Sequence, residues 1–220
     1  MTDPQSITKD VYEDTSVVHD YVKKHSINPA LKEIIEKKFA PLVKPAGKVL
    51  DLGCGPGHDS QILFDLGFEV IGLDYSQQMI KKAKDLYRES NKLKFIVADM
   101  RKLSKLFDEN SFDGVWAAAS IIHLPREEVK SVLVNLSKIV KNEGIIFFGL
   151  KEGDGEELKT DNERYGNKQI QRFFTYWDKD EFTSLAQQTN MKLIDYSQFI
   201  SSPDQKNKTR WARLFYKVQK

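Results

Sequence analysis

The sequence has little of the material from which membrane spans, disulfides and metal sites are built. No apolar run approaches the roughly 20 residues that cross a bilayer, and the first residues lack the basic and apolar layout of a signal peptide. The single cysteine, Cys54, cannot form an internal disulfide, which fits a reducing compartment. The four histidines, at positions 19, 25, 58 and 123, have no ligand spacing. We therefore expect a cytoplasmic protein with no membrane partner and no metal.

An excess of charge of one sign is also lacking. The 34 Lys and Arg residues nearly balance the 32 Asp and Glu residues, which leaves a net charge of +2. No global field therefore directs the chain to nucleic acid or to a membrane. With 220 residues, of which 40% are hydrophobic, the chain can bury the core of one globular domain. Nothing in the sequence indicates the oligomeric state.

Strand-like and helix-like segments alternate through the middle of the chain, which predicts an α/β fold with a mostly parallel sheet and helices on both faces. The predicted strands cover 48–52, 68–73, 93–98, 112–118 and 144–150. The helices between them cover 58–66, 76–90 and 125–140, with a short helix or loop at 101–110. Two amphipathic helices, at 7–25 and 29–39, precede these elements.

After residue 150 the pattern changes. Residues 151–170 are polar and contain glycine, which predicts a long loop of functional interest. A helix over 178–189 follows, with Asp178 as its N-cap. Two further strands, 191–199 and 209–218, are joined by a turn-forming segment and predict an antiparallel hairpin.

One loop carries most of the functional information. The β-type run 49–52 leads directly into glycines at positions 53, 55 and 57, and glycine lets a ligand lie against the backbone. Asp74 ends the next strand, where a carboxylate can accept two hydrogen bonds from a ribose diol. The spacing is G-x-G-x-G, and it differs from the G-x-G-x-x-G pattern that places a pyrophosphate on a helix N-terminus. Asp51, two residues before the first glycine, suits a ligand with a positive charge.

Residues 51–57, Asp-Leu-Gly-Cys-Gly-Pro-Gly, closely resemble motif I of the class I S-adenosylmethionine-dependent methyltransferases, D-x-G-x-G-x-G. The resemblance covers about 46–150 by motif and the rest by layout. It implies a Rossmann-like, doubly wound, seven-stranded sheet with an antiparallel C-terminal hairpin. It also implies S-adenosylmethionine as cofactor and S-adenosylhomocysteine as product. The chain 1–220 is then expected to be a single methyltransferase domain, with an N-terminal helical cap (1–45), a cofactor-binding core (46–150) and a substrate-side loop, helix and hairpin (151–220).

The resemblance assigns roles to the ends of the first four strands. It implies that Asp51 contacts the cofactor ammonium, Asp74 the ribose hydroxyls and Asp99 the adenine amino group. Small residues from Ala117 to Ser120 would let the methyl group and its acceptor approach each other. The expected cofactor-binding set is Asp51, Gly53, Cys54, Gly55, Gly57, Asp59, Asp74, Tyr75, Met79, Asp99, Met100, Ala117 and Ser120.

Structural alternatives stay open for several members of this set. Asp51 can act as a brace for the loop, and Asp59 can act as a cap for the helix that follows it. Asp99 can be a surface residue after a strand. Met79 fits helix-core packing better than an adenine contact. Cys54 is interpreted as a small filler, because no activating cation is evident nearby for its thiol.

His123 is the candidate catalytic residue. It lies in Ile-Ile-His-Leu-Pro at 121–125, which resembles the stretch after the fourth strand in many small-molecule enzymes of the class. A histidine near neutral pKa can take a proton from the acceptor, while a structural role that anchors the loop is an equal alternative. Residues 151–157, Lys-Glu-Gly-Asp-Gly-Glu-Glu, resemble a segment found in a subset of small methyltransferases, and nothing in the sequence indicates whether 151–177 form a lid. The substrate-pocket candidates are Tyr12, Tyr21, Tyr165, Arg172 and Trp211.

The reaction expected from the resemblance is direct in-line methyl transfer to an N, O or S atom of a small molecule. The Asn/Asp-Pro-Pro-Tyr and Pro-Cys motifs of enzymes that methylate bases are lacking. A methyltransferase of tRNA or protein and a cofactor-binding module without catalysis stay open as alternatives, whereas the loop spacing disfavours an NAD-dependent dehydrogenase. Neither the acceptor nor the need for a base is indicated. Contact with RNA would use the basic tail, which also fits one solvated sheet face: Lys206, Lys208, Arg210, Arg213 and Lys217.

Overall fold

A computed structural model describes residues 4–25, 27–162, 165, 168–201 and 209–220. The strands are β1 (Lys48–Leu52), β2 (Glu69–Asp74), β3 (Leu93–Val97), β4 (Phe112–Ala118), β5 (Val140–Lys151), β6 (Glu156–Asp161), β7 (Ile170–Thr175), β8 (Met191–Ser201) and β9 (Thr209–Val218). The helices are α1 (Pro4–Glu13), α2 (Thr15–Lys24), α3 (Pro29–Ile34), α4 (His58–Asp65), α5 (Gln77–Leu86), α6 (Leu103–Leu106), α7 (Arg126–Ile139) and α8 (Lys179–Gln187).

Seven strands form one sheet in the order β3-β2-β1-β4-β5-β9-β8. Strands β1 to β5 pair in parallel, and β9 pairs antiparallel with both β5 and β8. The predicted doubly wound sheet with an antiparallel C-terminal hairpin is therefore confirmed. The strand order reverses between β1 and β4, and ligands of such sheets bind beyond the carboxyl ends of the strands at this point.

Two apolar clusters bury the two faces of the sheet. On one face, Leu50 and Leu52 pack in the same cluster as the inner residues of α7, which recur at helical spacing. On the other, Val49 and Val70 pack with residues of α3, α4 and α5. Each fully buried aliphatic side chain contributes on the order of 1.5–3 kcal/mol, so the strand ends that carry the site rest on a rigid support. In the part of the chain that the structure describes, none of the helices has both the length and the apolar character that a membrane crossing requires.

The N-terminal segment differs from the prediction of one helix over 7–25. Asp14 breaks the helix, because its carboxylate accepts hydrogen bonds from the backbone N–H groups of Ser16 (2.9 Å) and Val17 (3.4 Å) and thereby caps α2. The helix predicted over 29–39 is found, but its second half is a π-helical turn.

The prediction of a long loop over 151–170 is wrong in part. Strands β6 and β7 form a separate two-stranded antiparallel sheet, in register from Glu156↔Thr175 to Asp161↔Ile170. Nearly every residue of β6 is exposed. Because the side chains on both faces of β6 are exposed and mostly polar, the sequence lacks the alternation of apolar and polar residues that normally marks a strand. Of the two strands only β7 carries buried residues, and two of these, Arg172 and Phe174, line the cavity described below.

Candidate cofactor and acceptor site

A large cavity lies at the switch point of the sheet. Its volume is 1490 Å³, above the roughly 300–1,000 Å³ of a typical single-ligand site. Residues 53–56 of the glycine loop line one end, and side chains from α1, α2, β5, β7 and β9 line the other. We call these the cofactor end and the acceptor end. The volume and the two different walls fit two ligands bound side by side.

The glycine loop is held tightly on one side and open on the other. The N–H groups of Gly53 and Cys54 both donate to the carbonyl of Leu73, at 2.7 and 3.0 Å. Gly53 has φ +75°, and a Cβ added there would lie 2.3 Å from the Cβ of Ser120, so no other residue fits. Gly55 has φ +53°, and no protein atom lies within 4 Å of the position its Cβ would take. The open side of the loop forms a cradle for a ligand.

Two carboxylates, one buried and one half-buried, line the cofactor end. Asp51 is 2% exposed and accepts a hydrogen bond from the Ser60 hydroxyl at 2.5 Å. Asp59 accepts from the indole N–H of Trp116 at 2.8 Å, so the interpretation of Asp59 as a helix cap is wrong. Burial raises the pKa of both carboxyls, and the charge of Asp59 raises the pKa of Asp51 further. A ligand cation placed here would relieve this cost, which fits an ammonium group.

Asp74 connects the glycine loop with α5 and α1. Its Oδ2 accepts from the N–H of Gly55 and its Oδ1 from the N–H of Ser76, both at 2.9 Å. Each oxygen retains a lone pair for a further donor. Ser76 caps α5 by accepting from the N–H of Met79 at 3.1 Å, and its hydroxyl donates to the carbonyl of Tyr12 at 2.7 Å. Burial raises the pKa of Asp74.

Several other members of the predicted cofactor set, like Asp74 itself, are not among the residues that line this cavity. Asp99 is buried in an ion pair: the Nε of Arg101 lies 3.0 Å from both its carboxylate oxygens and Nη2 lies 2.9 Å from Oδ2. Its interpretation as a surface residue is therefore wrong. The ring of Tyr75 lies 4.5 Å from the Nζ of Lys9 on α1. Met79 is buried on α5. Contacts of these residues with the cofactor remain predictions.

The end of β4 requires a correction. Ala117 and Met100 are buried in the apolar core, and Ala118 and Ala119 line the cavity instead. Ala119 has φ +57°, a conformation that costs a non-glycine residue free energy and is found preferentially at functional sites. The buried hydroxyl of Ser120, next to Gly53, has no hydrogen-bond partner among the described residues.

His123 is neutral in this structure. Its Nδ1 lies 2.7 Å from the carbonyl of Phe173, so Nδ1 carries the proton and donates, and Nε2 is left as an acceptor. Burial, aided by the positive charges of Arg172 and Lys151, lowers its pKa to about 3. The ring is therefore anchored through one nitrogen and can accept a hydrogen bond through the other.

The five predicted substrate-pocket residues all line the cavity. Tyr12 and Tyr21 meet edge to face, with ring centroids 5.8 Å apart. The guanidinium of Arg172 donates to the Tyr12 hydroxyl at 3.3 Å. Tyr165 is almost fully buried, and Trp211 lies on β9 across from the end of β5. The structure brings these residues together from distant parts of the chain, and their contact with a substrate remains a prediction.

Sequence reasoning missed several residues of the acceptor end. Lys151 is 8% exposed, and its Nζ lies 3.2 Å from the ring centroid of Phe174 and 5.4 Å from that of Tyr176. Lys151 is the last residue of β5. The rule that ligands bind at the carboxyl ends of parallel strands was sufficient to find it.

The basic tail does not form one solvated face. Arg210 and Arg213 line the cavity, and the guanidinium of Arg213 lies 3.9 Å from the ring of Phe199. Lys217 pairs with Glu143 at 3.0 Å. Lys206 and Lys208 lie outside the described residues.

The thiol of Cys54 lines the cofactor end, where burial and the neighbouring carboxylates raise its pKa well above the usual value. It is therefore protonated at neutral pH, as expected of a small filler. Over the described ranges, no group of three or more His, Cys, Asp or Glu side chains is placed to hold a metal ion.

The residues of the cofactor end lie within a segment that matches a known domain family. The model of a methyltransferase domain matches residues 49–144. Over 140 residues the chain is 33% identical to the 2-methyl-6-phytyl-1,4-hydroquinone methyltransferase of Synechocystis sp., a match that covers 58% of this chain and 43% of that protein. The chain spans about half or less of the length of the first curated relatives it matches.

Solved structures match over nearly the whole chain. A protein from Pyrococcus horikoshii OT3 is 26% identical with a TM-score of 0.67, over 96% of this chain and 95% of that one. The 1,6-didemethyltoxoflavin-N1-methyltransferase of Burkholderia thailandensis, with bound 1,6-didemethyltoxoflavin and S-adenosylhomocysteine, is 17% identical with a TM-score of 0.70, over 100% and 92%. Residues 49–144 are thus similar to the methyltransferase domain family, and the fold of the chain is the one that these solved S-adenosylmethionine-dependent methyltransferases have.

Proposed function

We propose that this protein is an S-adenosylmethionine-dependent methyltransferase that methylates an N, O or S atom of a small molecule and releases S-adenosylhomocysteine. The observation that carries the proposal is the cradle at Gly55. Its N–H donates to Asp74, its open side faces the cavity, and the carboxylates of Asp51 and Asp59 line the same end. The domain family supports the same activity.

The residues of the cofactor end fit the cofactor group by group. Asp51 and Asp59 provide negative charge for the α-ammonium, and the free lone pairs of Asp74 suit the ribose hydroxyls. When bound, the sulfonium supplies an electrophilic methyl group, so the protein need not generate a strong nucleophile. These assignments use the polar groups that the structure leaves partly unsatisfied.

At the acceptor end, the chain's own residues position the second substrate. Alignment of two reactants in a closed site can supply on the order of 7–11 kcal/mol. Helices α1 and α2 bring Tyr12 and Tyr21 over the cavity and so reduce its access to water. The Nε2 of His123 can accept a hydrogen bond from an acceptor O–H or N–H. With a pKa of about 3 it orients the acceptor and is too weak a base to hold the proton.

A small molecule is the favoured acceptor class because the acceptor end is a cavity walled by side chains from several elements. The names of two relatives, for a hydroquinone and for malonyl-[acyl-carrier protein], describe acceptors of low mass or small acyl groups. The proposal includes a cytoplasmic location, which the single unpaired cysteine supports, and treats 1–220 as one methyltransferase domain. Arg210 and Arg213 at the cavity wall keep RNA as a class to include in a substrate screen.

Calorimetric titration with S-adenosylmethionine, S-adenosylhomocysteine and NAD tests the proposal. We expect both adenosyl ligands to bind and NAD not to bind. Asp74→Asn should weaken the adenosyl ligands by about tenfold or more, because hydrogen bonds to a charged group contribute roughly 1.5–3 kcal/mol. Glu69→Gln, which removes an acid from the same strand away from the cavity, is the matched control. Binding of NAD alone, or equal affinity in both variants, would refute the assignment.

A further inference from the structure

Two buried cations gather around one aromatic ring at the acceptor end. Phe174 is 3% exposed, and the Nζ of Lys151 lies 3.2 Å from its centroid. Arg172 is 6% exposed, and its guanidinium carbon lies 5.0 Å from the centroid of the Phe174 ring. The centroid of the His123 ring lies 4.9 Å from that of Phe174. We call Lys151, Arg172 and His123 the Phe174 cluster. All three side chains line the cavity.

The guanidinium of Arg172 is only partly satisfied by the described residues. It donates one hydrogen bond, to the Tyr12 hydroxyl at 3.3 Å, and it forms an ion pair with Asp161 at 3.9 Å between Nη2 and Oδ2, which is too long for a hydrogen bond. A guanidinium has five N–H donors in a fork that matches a carboxylate. Because a buried cation with unused hydrogen-bond donors is unfavourable, this arrangement favours an anion from outside the protein.

Two glutamates also line this cavity and are hydrogen-bonded to other side chains. Glu152 accepts through Oε1 from the Tyr196 hydroxyl and from the Gln198 amide, while its buried Oε2 has no hydrogen-bond partner among the described residues. Glu157 accepts from the Tyr176 hydroxyl. These bonds tether the two carboxylates to tyrosine and glutamine side chains rather than to Arg172.

The buried charges differ between the two ends of the cavity. Asp51 is buried at the cofactor end, whereas Lys151 and Arg172 are buried at the acceptor end, where their positive charges add to the effect of burial in lowering the pKa of His123. Tyr12 connects the two ends, because its carbonyl accepts from Ser76 and its hydroxyl accepts from Arg172. A molecule with an anionic end and a neutral nucleophile fits this arrangement with its anionic end toward Arg172.

We propose that the methyl acceptor is a small aromatic carboxylate, whose carboxylate is bound by Arg172 with Lys151 beside it and whose nucleophilic atom lies between His123 and the glycine loop. The aromatic walls from Phe174, Tyr165 and Tyr176 provide flat surfaces for its ring. This inference rests on the proposed function, because it names the substrate of the same site.

The test uses hydroxy-, amino- and mercaptobenzoates, each paired with the corresponding benzamide, as probes. Ligand-observed NMR measures their binding to the full chain saturated with S-adenosylhomocysteine. We expect the acids to bind about tenfold tighter than the amides, the effect of a hydrogen-bonded charge pair. Arg172→Gln should remove that preference, and Arg172→Lys should retain part of it. Lys94→Gln, which removes an exposed cation on β3 outside the cavity, should leave it unchanged.

Calorimetry with S-adenosylhomocysteine on each variant separates the two proposals. If the wild-type chain does not bind S-adenosylhomocysteine, the proposed function fails, whatever the acids do. If it binds, the inference is overturned by equal binding of acids and amides, by no binding of any acid at millimolar concentration, or by an unchanged preference in Arg172→Gln. Should Arg172→Gln fail to fold, Lys151→Gln takes its place, with a similar loss expected.

Discussion

Gly53→Ala is expected to destabilise the protein strongly through one contact. The residue has φ +75°, which costs an alanine about 1–2 kcal/mol. The new methyl would lie 2.3 Å from the Cβ of Ser120, and such overpacking adds about 1–3 kcal/mol. The lower entropy of the unfolded alanine chain offsets about 0.4–1 kcal/mol. The net loss in the free energy of unfolding is about 3 kcal/mol, or a Tm lower by roughly 6–12 °C.

Two other glycines of the same backbone type serve as controls. Gly67 has φ +94° and Gly55 has φ +53°, and neither has a protein atom within 4 Å of its missing Cβ. Each alanine variant should therefore lose only the conformational cost, about 1 kcal/mol. Gly67→Ala lies outside the cavity and should bind S-adenosylhomocysteine normally. Gly55→Ala places a methyl in the cradle and should lose most of that affinity.

Urea unfolding and calorimetric titration measure both effects. The decisive addition is the double variant Gly53→Ala/Ser120→Gly, which removes the atom that the new methyl meets and should recover the overpacking share of the loss. The reasoning is refuted if Gly53→Ala is no less stable than Gly67→Ala, if the double variant shows no favourable coupling, or if Gly55→Ala binds the ligand as the wild type does.

Three further predictions follow from single side chains. Because the pKa of Asp51 is raised, the folded state binds more protons than the unfolded state above about pH 4, and the free energy of unfolding falls as pH rises. Asp51→Asn should reduce this pH dependence of the free energy of unfolding, measured by urea unfolding of the ligand-free protein. His123, with a pKa of about 3, should show no titration by NMR between about pH 5 and 8, and its Nδ1 should carry a proton. The His123 signal is the one that disappears in the variant His123→Gln. A titration midpoint near pH 6.5 would contradict the burial of the ring. Asp14→Ala should cost about 1 kcal/mol through loss of the α2 cap, and an unchanged stability would show that the cap is dispensable.

The strands that carry the cofactor end were predictable because each is a short apolar run bounded by turn residues. The bounds of β1 and β4 are those predicted, Lys48–Leu52 and Phe112–Ala118. Strand β6 was not predictable, because its side chains are exposed on both faces and its pairing with β7 is made by backbone groups. The break at Asp14 was missed because the apolar periodicity continues across it, and only the cap geometry ends the helix.

The end of β4 shows why a correct motif can give the wrong residue. Side chains of a strand alternate between the two faces, so a shift by one position exchanges core for cavity. The three alanines from Ala117 to Ala119 do not differ in size or polarity, so the sequence does not show which of them faces the core. The structure places Ala117 in the core, and the positive φ of Ala119 turns the chain at the cavity wall. The pairing of β4 with β5 determines which face each side chain occupies.

The acceptor end is a different case, because its residues lie mostly outside the segment that matches the domain family. That match ends at residue 144, before Lys151 and Arg172, whereas Tyr12 precedes its start. Arg172 meets Tyr12 across 160 positions of sequence, a contact that local pattern cannot predict. Relatives that share the cofactor end therefore need not share the cations around Phe174, and their names do not transfer an acceptor to this chain. The charge of the acceptor follows from Arg172 and Lys151, so the comparison of acid and amide probes informs on the substrate more directly than any relative does.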